Sequence, residues 1–169
     1  MGKYFRMSTR FDKRTPHDFG LTEVEETTLA VNPEDGTLWE RRSLFDFGWG
    51  KENGYFRRPL LLYNELLAVV LSSEDRDDVY GAAAVILDQH TSELLDSCEM
   101  LFSDNQHIKE ARVLGKVFDL QKGINLSPTI GKTWEQIQED TYRWKAIAIA
   151  AKSNAIMANT KAKPFWRFR

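Results

Sequence analysis

The sequence holds one cysteine, Cys98, among 169 residues. An internal disulfide and a thiolate metal cluster are therefore both excluded. Histidine is nearly as scarce: His17, His90 and His107 stand apart, and no His-Glu-x-x-His or Glu-x-x-His pairing offers a helical metal centre. No apolar run approaches the roughly 18–20 residues that span a bilayer. The basic start Met1-Gly2-Lys3-Tyr4-Phe5-Arg6 is followed by no apolar stretch, so no signal peptide is expected. Arg6 also stands where a myristoylation signal needs Ser or Thr. Glycine and proline together fill only 15 positions, against 42% apolar and 28% charged residues, which excludes collagen-like and low-complexity chains and argues against global disorder. Phosphate loops are missing as well, since Gly48-Trp49-Gly50-Lys51 lacks the Walker spacing and its terminal Ser or Thr. No serine sits in a nucleophile-elbow sequence.

What is present is an uneven distribution of charge. The formal net charge is only -2. Residues 1–20 carry five Lys/Arg against two Asp/Glu, residues 21–142 carry eleven against twenty-three, and residues 143–169 carry seven against none. An acidic body of -12 thus lies between basic ends of +3 and +7. The expectation is that the ends fold back and neutralise part of the body, because Phe165, Trp166 and Phe168 are better buried than free.

Local patterns predict a mainly α, indeed all-α, fold: a compact helical bundle or a short hairpin array, preceded by an irregular or β-hairpin-containing segment. One domain over 1–169 is expected, with an N-terminal extension at 1–58, a helical core at 59–158 and a basic aromatic tail at 159–169. Thr15-Pro16-His17-Asp18 suits a short helix stopped by Gly20. The β-branched stretch Thr22 to Val31 runs into the turn Asn32-Pro33-Glu34-Asp35-Gly36, which suits a hairpin. Ser43 to Gly54 reads as a glycine-rich loop whose aromatics pack on the helices.

Leu60 to Leu71 reads as a buried helix with Asn64 and Glu65 on its exposed side. Ser72 or Ser73, then Glu74-Asp75, caps a helix running to Gln89. Leu94, Leu95, Cys98, Leu101 and Phe102 line the next, and Ile108 to Phe118 forms another. Thr133 and Gln136 form a capping box for a last helix reaching Ala158. Its stripe Trp134, Ile137, Thr141, Trp144, Ala148, Ala151 and Ala155 faces a core or a partner.

Residues 75–104 carry Asp77-Asp78-Val79, Ala82-Ala83-Ala84 and Leu87, then Leu94-Leu95 and Leu101. This stretch resembles one helical hairpin of the HEAT or armadillo kind, although Gly81 departs from that pattern. The resemblance implies a binding surface and no catalytic site.

No catalytic residue, metal site or cofactor is expected. Asp104 and His107 share a helix face with Glu110, which reads as an ordinary cap and surface pairing. Asp75, Asp77 and Asp78 fail the calcium-loop spacing and read as an acidic helix start. Cys98 lies among leucines and reads as a small core residue. The candidate binding residues are Trp49, Tyr55, Arg57, Arg58, Asp75, Asp77 and Asp78.

The leading functional expectation is a non-enzymatic, cytoplasmic protein-binding domain. Its acidic helical surface would meet a basic protein, in the manner of an inhibitor or immunity-type protein. One alternative is a small enzyme or ligand-binding protein with a pocket between the 41–58 region and the helices. Another is a nucleic-acid accessory protein using the basic aromatic ends. No membrane partner is expected, and exposure of Trp134 or Trp144 would favour a homodimer.

Overall fold

A computed structural model describes residues 2–8, 14–46 and 51–161. Helix predominates, at 55% of the chain. The all-α expectation is nonetheless wrong, because 14% of the chain is strand in a five-stranded sheet. The chain forms two compact units, Met1–Gln89 and His90–Arg169. The sheet shares the first unit with two helices.

In the first unit the strands are β1 (Phe5–Ser8), β2 (Thr22–Glu23), β3 (Leu29–Val31), β4 (Leu38–Asp46) and β5 (Lys51–Arg57). Their spatial order is β1-β5-β4-β3-β2, and every pairing is antiparallel. The Asn32–Gly36 turn forms as expected, with Gly36 in the left-handed region at φ 68° and its N–H donating to Asn32 O at 2.8 Å. The supposed 43–54 loop is instead the continuation of β4 to Asp46 and the start of β5 at Lys51. Glycine count misled there. Gly54 sits in β5 between Arg42 of β4 and Met7 of β1, where the ladder needs only backbone.

Alternation along the strands gives the sheet two faces. On one, Phe5 and Phe56 meet edge to face, with centroids 5.0 Å apart. On the other, Phe19, Leu21, Ala30, Trp39 and Tyr55 form a buried cluster. The 15–20 segment closes that face. Asp18 accepts from both the N–H and the hydroxyl of Thr15 at 2.7 Å, and Gly20 ends the short 3-10 turn His17–Phe19 with φ 66°.

Helices α1 (Tyr63–Ser72) and α2 (Arg76–Gln89) pack against each other, and α2 packs on β1. Asn64 and Glu65 are exposed as expected, and Glu65 caps α1 by accepting the Leu62 N–H at 2.8 Å. Gly81, the residue that departs from the hairpin pattern, has a packing reason. A Cβ there would overlap the Phe5 ring, so glycine lets β1 cross directly over the helix. Gly81→Ala is expected to lower stability by about 1–3 kcal/mol through overpacking. A lower denaturation midpoint at unchanged cooperativity is the readout.

The second unit holds α3 (Thr91–Ser103), α4 (Ile108–Val117) and α5 (Trp134–Lys161). All three pack on one another. Leu94, Leu95, Cys98, Leu101, Ala111, Leu114, Trp144, Ile147, Ala148 and Ala151 supply its buried side chains. The capping box forms: Thr133 N–H donates to Gln136 Oε1 at 2.9 Å, and Gln136 N–H to Thr133 Oγ1 at 3.4 Å. Residues 75–104 thus hold α2 and α3, with the boundary between the two units falling after α2.

Candidate functional site

The acidic run at the start of α2 is the first predicted site, and its carboxylates turn inward. Asp75 is the cap of α2, accepting from Asp77 N–H at 2.9 Å and Asp78 N–H at 3.3 Å. Burial works to raise its carboxyl, and hydrogen bonds that include those two amides bring it below the ordinary value. Asp78 is only 4% exposed and accepts three backbone N–H groups, from Lys3 at 2.9 Å, Tyr4 at 2.8 Å and Phe5 at 2.9 Å. Asp77 accepts from the Met7 N–H at 3.2 Å and from Arg14, whose guanidinium also donates to Met7 O.

The arrangement has a physical rationale. Strand β1 is a sheet edge, and in an antiparallel pair alternate residues direct their amides away from the neighbour. Phe5 and Met7 do so, and Asp78 and Asp77 take up those N–H groups. The edge is thereby closed to a foreign strand. The basic N-terminal residues serve the same unit. Arg14 pairs with Asp77, and Arg6 stacks over Trp39 at 4.2 Å while donating to Phe19 O. Burial lowers the Arg6 pKa, partly offset by the charges of Asp35 and Glu34.

The other predicted binding residues separate. Tyr55 is buried, and its hydroxyl donates to Glu23 Oε1 at 3.0 Å. Burial first, then that carboxylate, pushes its phenol up to about 12. Arg58 pairs with Glu40 at 3.3 Å, and Glu40 also holds Arg42 at 3.2 Å. Arg57 lies half-buried on the last position of β5, opposite Trp39. Trp49 and the aromatic tail Phe165, Trp166 and Phe168 lie outside the described residues.

Two clefts of the first unit are lined by described residues. One, between β4, β5 and α2, is lined by Arg42, Ser43, Phe56, Val85, Asp88 and Gln89 and has about 30 Å³, room for a single water. The other is an open cleft of about 500 Å³ between Tyr4 and α1. Its polar groups already serve the fold: Glu65 caps α1, Ser73 accepts the Asp75 N–H, and Asp78 holds β1.

Among the described residues no cluster of His, Cys, Asp and Glu could hold a metal ion. Asp104 instead accepts the Gln106 N–H at 2.8 Å, with His107 Nε2 3.9 Å from its other oxygen. Cys98 is fully buried, and burial pushes its thiol up to about 12, so it is an inert core residue.

The feature that sequence reasoning missed is a cation-free stretch. From Thr15 to Glu40 there are seven carboxylates and no Lys or Arg. Six of them, Asp18, Glu23, Glu25, Glu26, Glu34 and Asp35, are exposed. The last five sit on β2 and on the turns that join β2, β3 and β4. Averaging charge over 21–142 hid the local run. Thr37 pins Asp35 through its hydroxyl at 2.6 Å and its N–H at 2.9 Å, holding that carboxyl below its ordinary value.

Compared with protein families, with curated proteins and with solved structures, the chain matches none. No helix among the described residues is long and apolar enough to cross a membrane.

Proposed function

We propose that the chain is a non-enzymatic protein-binding module of the cytoplasm. Its first unit would engage a basic protein through Glu23, Glu25, Glu26, Glu34 and Asp35. One observation carries this reading: these carboxylates are exposed on β2 and on the two turns that flank β3, in a stretch from Thr15 to Glu40 that holds no Lys or Arg of its own. Like charges gathered on a rigid sheet steer a cationic partner and set its orientation. The acidic surface thus moves from the helices, where Asp77 and Asp78 are occupied, to the strand turns. An inhibitor or immunity-type role is one form of this reading. The single cysteine, buried and unpaired, accords with a reducing compartment.

The test is calorimetric titration of the full chain with an oligo-lysine peptide at low and high salt. Binding at low salt should weaken steeply as salt rises. The variant E25Q/E26Q/E34Q removes three charges whose side chains make no hydrogen bond in the structure. At about 0.5 kcal/mol for each exposed charge, it should bind about tenfold more weakly with its melting temperature unchanged. Wild-type affinity in that variant, or no binding at low salt, would refute the reading.

A further inference from the structure

In the second unit, charge is sorted by side. Gly115 of α4 faces Ala151 of α5, where an added Cβ would stand 3.9 Å from the Ala151 Cβ. Gly123, beyond the end of α4, faces Ala148 in the same way at 3.4 Å. The two helices therefore run antiparallel. In an antiparallel pair of right-handed helices, the residue after each contact position turns to the same side. Lys116 and Lys152 are those residues. At about 100° per residue, Lys109, Arg112 and Lys116 span roughly 60° of arc on α4, and Lys145 lies about 20° from Lys152 on α5. These cations thus share one side of the α4–α5 pair. The four lysines are exposed and Arg112 is half-buried. The opposite side belongs to α3. Arg143, about 80° from Ala151 in the other direction, is held by Glu99 and Asp96 of α3 at 2.6–2.7 Å.

Among the described residues no carboxylate pairs with Lys109, Arg112, Lys116, Lys145 or Lys152, and Arg112 Nε has no hydrogen-bond partner. Glu110, the one acid of α4, is turned roughly 100° or more from each cation of that helix. Residues 141–161 contain no Asp or Glu. Asp119 pairs with Lys122, and Asp140 with Lys132. Beside Lys145, about 60° of arc away, Tyr142 is 67% exposed, with the Lys145 ammonium 5.9 Å from its ring.

We infer that this side of the α4–α5 pair binds a single-stranded nucleic acid, with phosphates on Lys109, Arg112, Lys116, Lys145 and Lys152 and a base on Tyr142. The cations lie within a face about 20 Å long and two helices wide. A phosphodiester strand supplies one negative charge per nucleotide and so matches that density, whereas protein surfaces intersperse both signs. An anionic membrane would need large apolar side chains inserted beside the cations, and α4 exposes none. An exposed ring next to a cation suits a strand instead, because a base stacks on the ring while its phosphate is neutralised. A duplex keeps its bases stacked on one another, out of reach of Tyr142. This inference is independent of the acidic turns of the first unit, which would take a cationic partner.

The test is fluorescence anisotropy of a labelled oligothymidine of about twelve nucleotides titrated with the full chain over a range of salt. Log affinity should fall against log salt with a slope of about -3.5, at about -0.7 for each phosphate neutralised. K109Q/K116Q on α4 and K145Q/K152Q on α5 should each reduce the slope to about -2 and bind about tenfold more weakly. Both should keep the wild-type melting temperature, because all four side chains are exposed and unpaired. Y142A should bind at least about fivefold more weakly with the slope unchanged, since a stacked ring releases no counterion. E25Q/E26Q/E34Q should bind the strand no more weakly than wild type, so the two readings fail separately. No binding at low salt, or wild-type affinity in both lysine variants or in Y142A, would overturn the proposal. So would a duplex of the same length bound as tightly as the single strand, or phosphatidylserine vesicles bound in preference to it.

Discussion

Asp78→Ala will destabilise the first unit by about 3–5 kcal/mol, far more than a surface carboxylate would cost. Three amides lose their acceptor at once, and the Phe5 N–H lies where water does not reach. An unpaired buried donor costs about 1–3 kcal/mol, and the two part-buried amides recover some of theirs from solvent. The second consequence is local. Without Asp78 the edge strand keeps its ladder to β5 but loses its outer anchor, so amide exchange at residues 3–7 should quicken before the rest of the sheet. Asp78→Asn retains one acceptor oxygen and should fall between wild type and alanine. Denaturant melts of the three proteins, with exchange at Phe5 and Met7, check both points. If Asp78→Ala unfolds with the wild-type midpoint, the anchoring role is wrong.

In the second unit the largest loss is expected from Trp144→Ala, about 3–5 kcal/mol. The indole is buried where α5 meets the other elements of this unit, and its N–H donates to Ser127 Oγ at 3.0 Å. Alanine leaves a ring-sized void and strands the buried hydroxyl. Trp144→Phe keeps most of the volume and should cost about 1–2 kcal/mol less. The control lies on the same helix. Ten residues at about 100° each leave Trp134 about 80° of arc from Trp144, and Trp134→Ala should change chain stability by no more than about 0.5 kcal/mol. Thermal melts distinguish the two tryptophans. Equal losses would mean that the helix is rotated relative to this description.

That contrast also shows what periodicity can and cannot reveal. Trp134 and Trp144 both fit the alternating three- and four-residue spacing that marks a helix face. The spacing correctly identified the helix, its capping box and the buried Trp144, Ala148 and Ala151. It could not tell that Trp134, in the first turn, stands at the margin of the stripe. Likewise the Asn32–Gly36 turn and the Thr15–Asp18 cap were readable, because each depends on residues adjacent in the chain, whereas the cap of α2 is Asp75 and not Ser72 or Ser73.

The errors share one origin. The stretch from Ser43 to Gly54 looked too rich in glycine for regular structure, yet it joins a ladder in which Gly54 lies between two neighbouring strands. Strand pairing is non-local, and the partners Met7 and Arg42 are 47 and 12 residues away. The same holds for Asp77 and Asp78. As a sequence they are an acidic helix start, suited to a solvated or partner-facing surface. Their acceptor role depends on β1, more than 70 residues earlier for Asp78. Gly81 is a blemish in a helix until Phe5 is seen lying on it.

By itself, then, the sequence determined the absence of disulfide and thiolate-cluster chemistry, the predominance of helix, the caps and turns, and the uneven charge. These follow from composition and from contacts a few residues long. Only the tertiary structure decided which charges are spent. It showed that Arg14 and Asp77 neutralise each other, that Asp78 closes a sheet edge, and that the turns around β2 and β3 keep their carboxylates exposed. A carboxylate carries the same formal charge wherever it stands. Whether it serves the fold or faces a partner depends on which amides and guanidinium groups the folded backbone brings within reach.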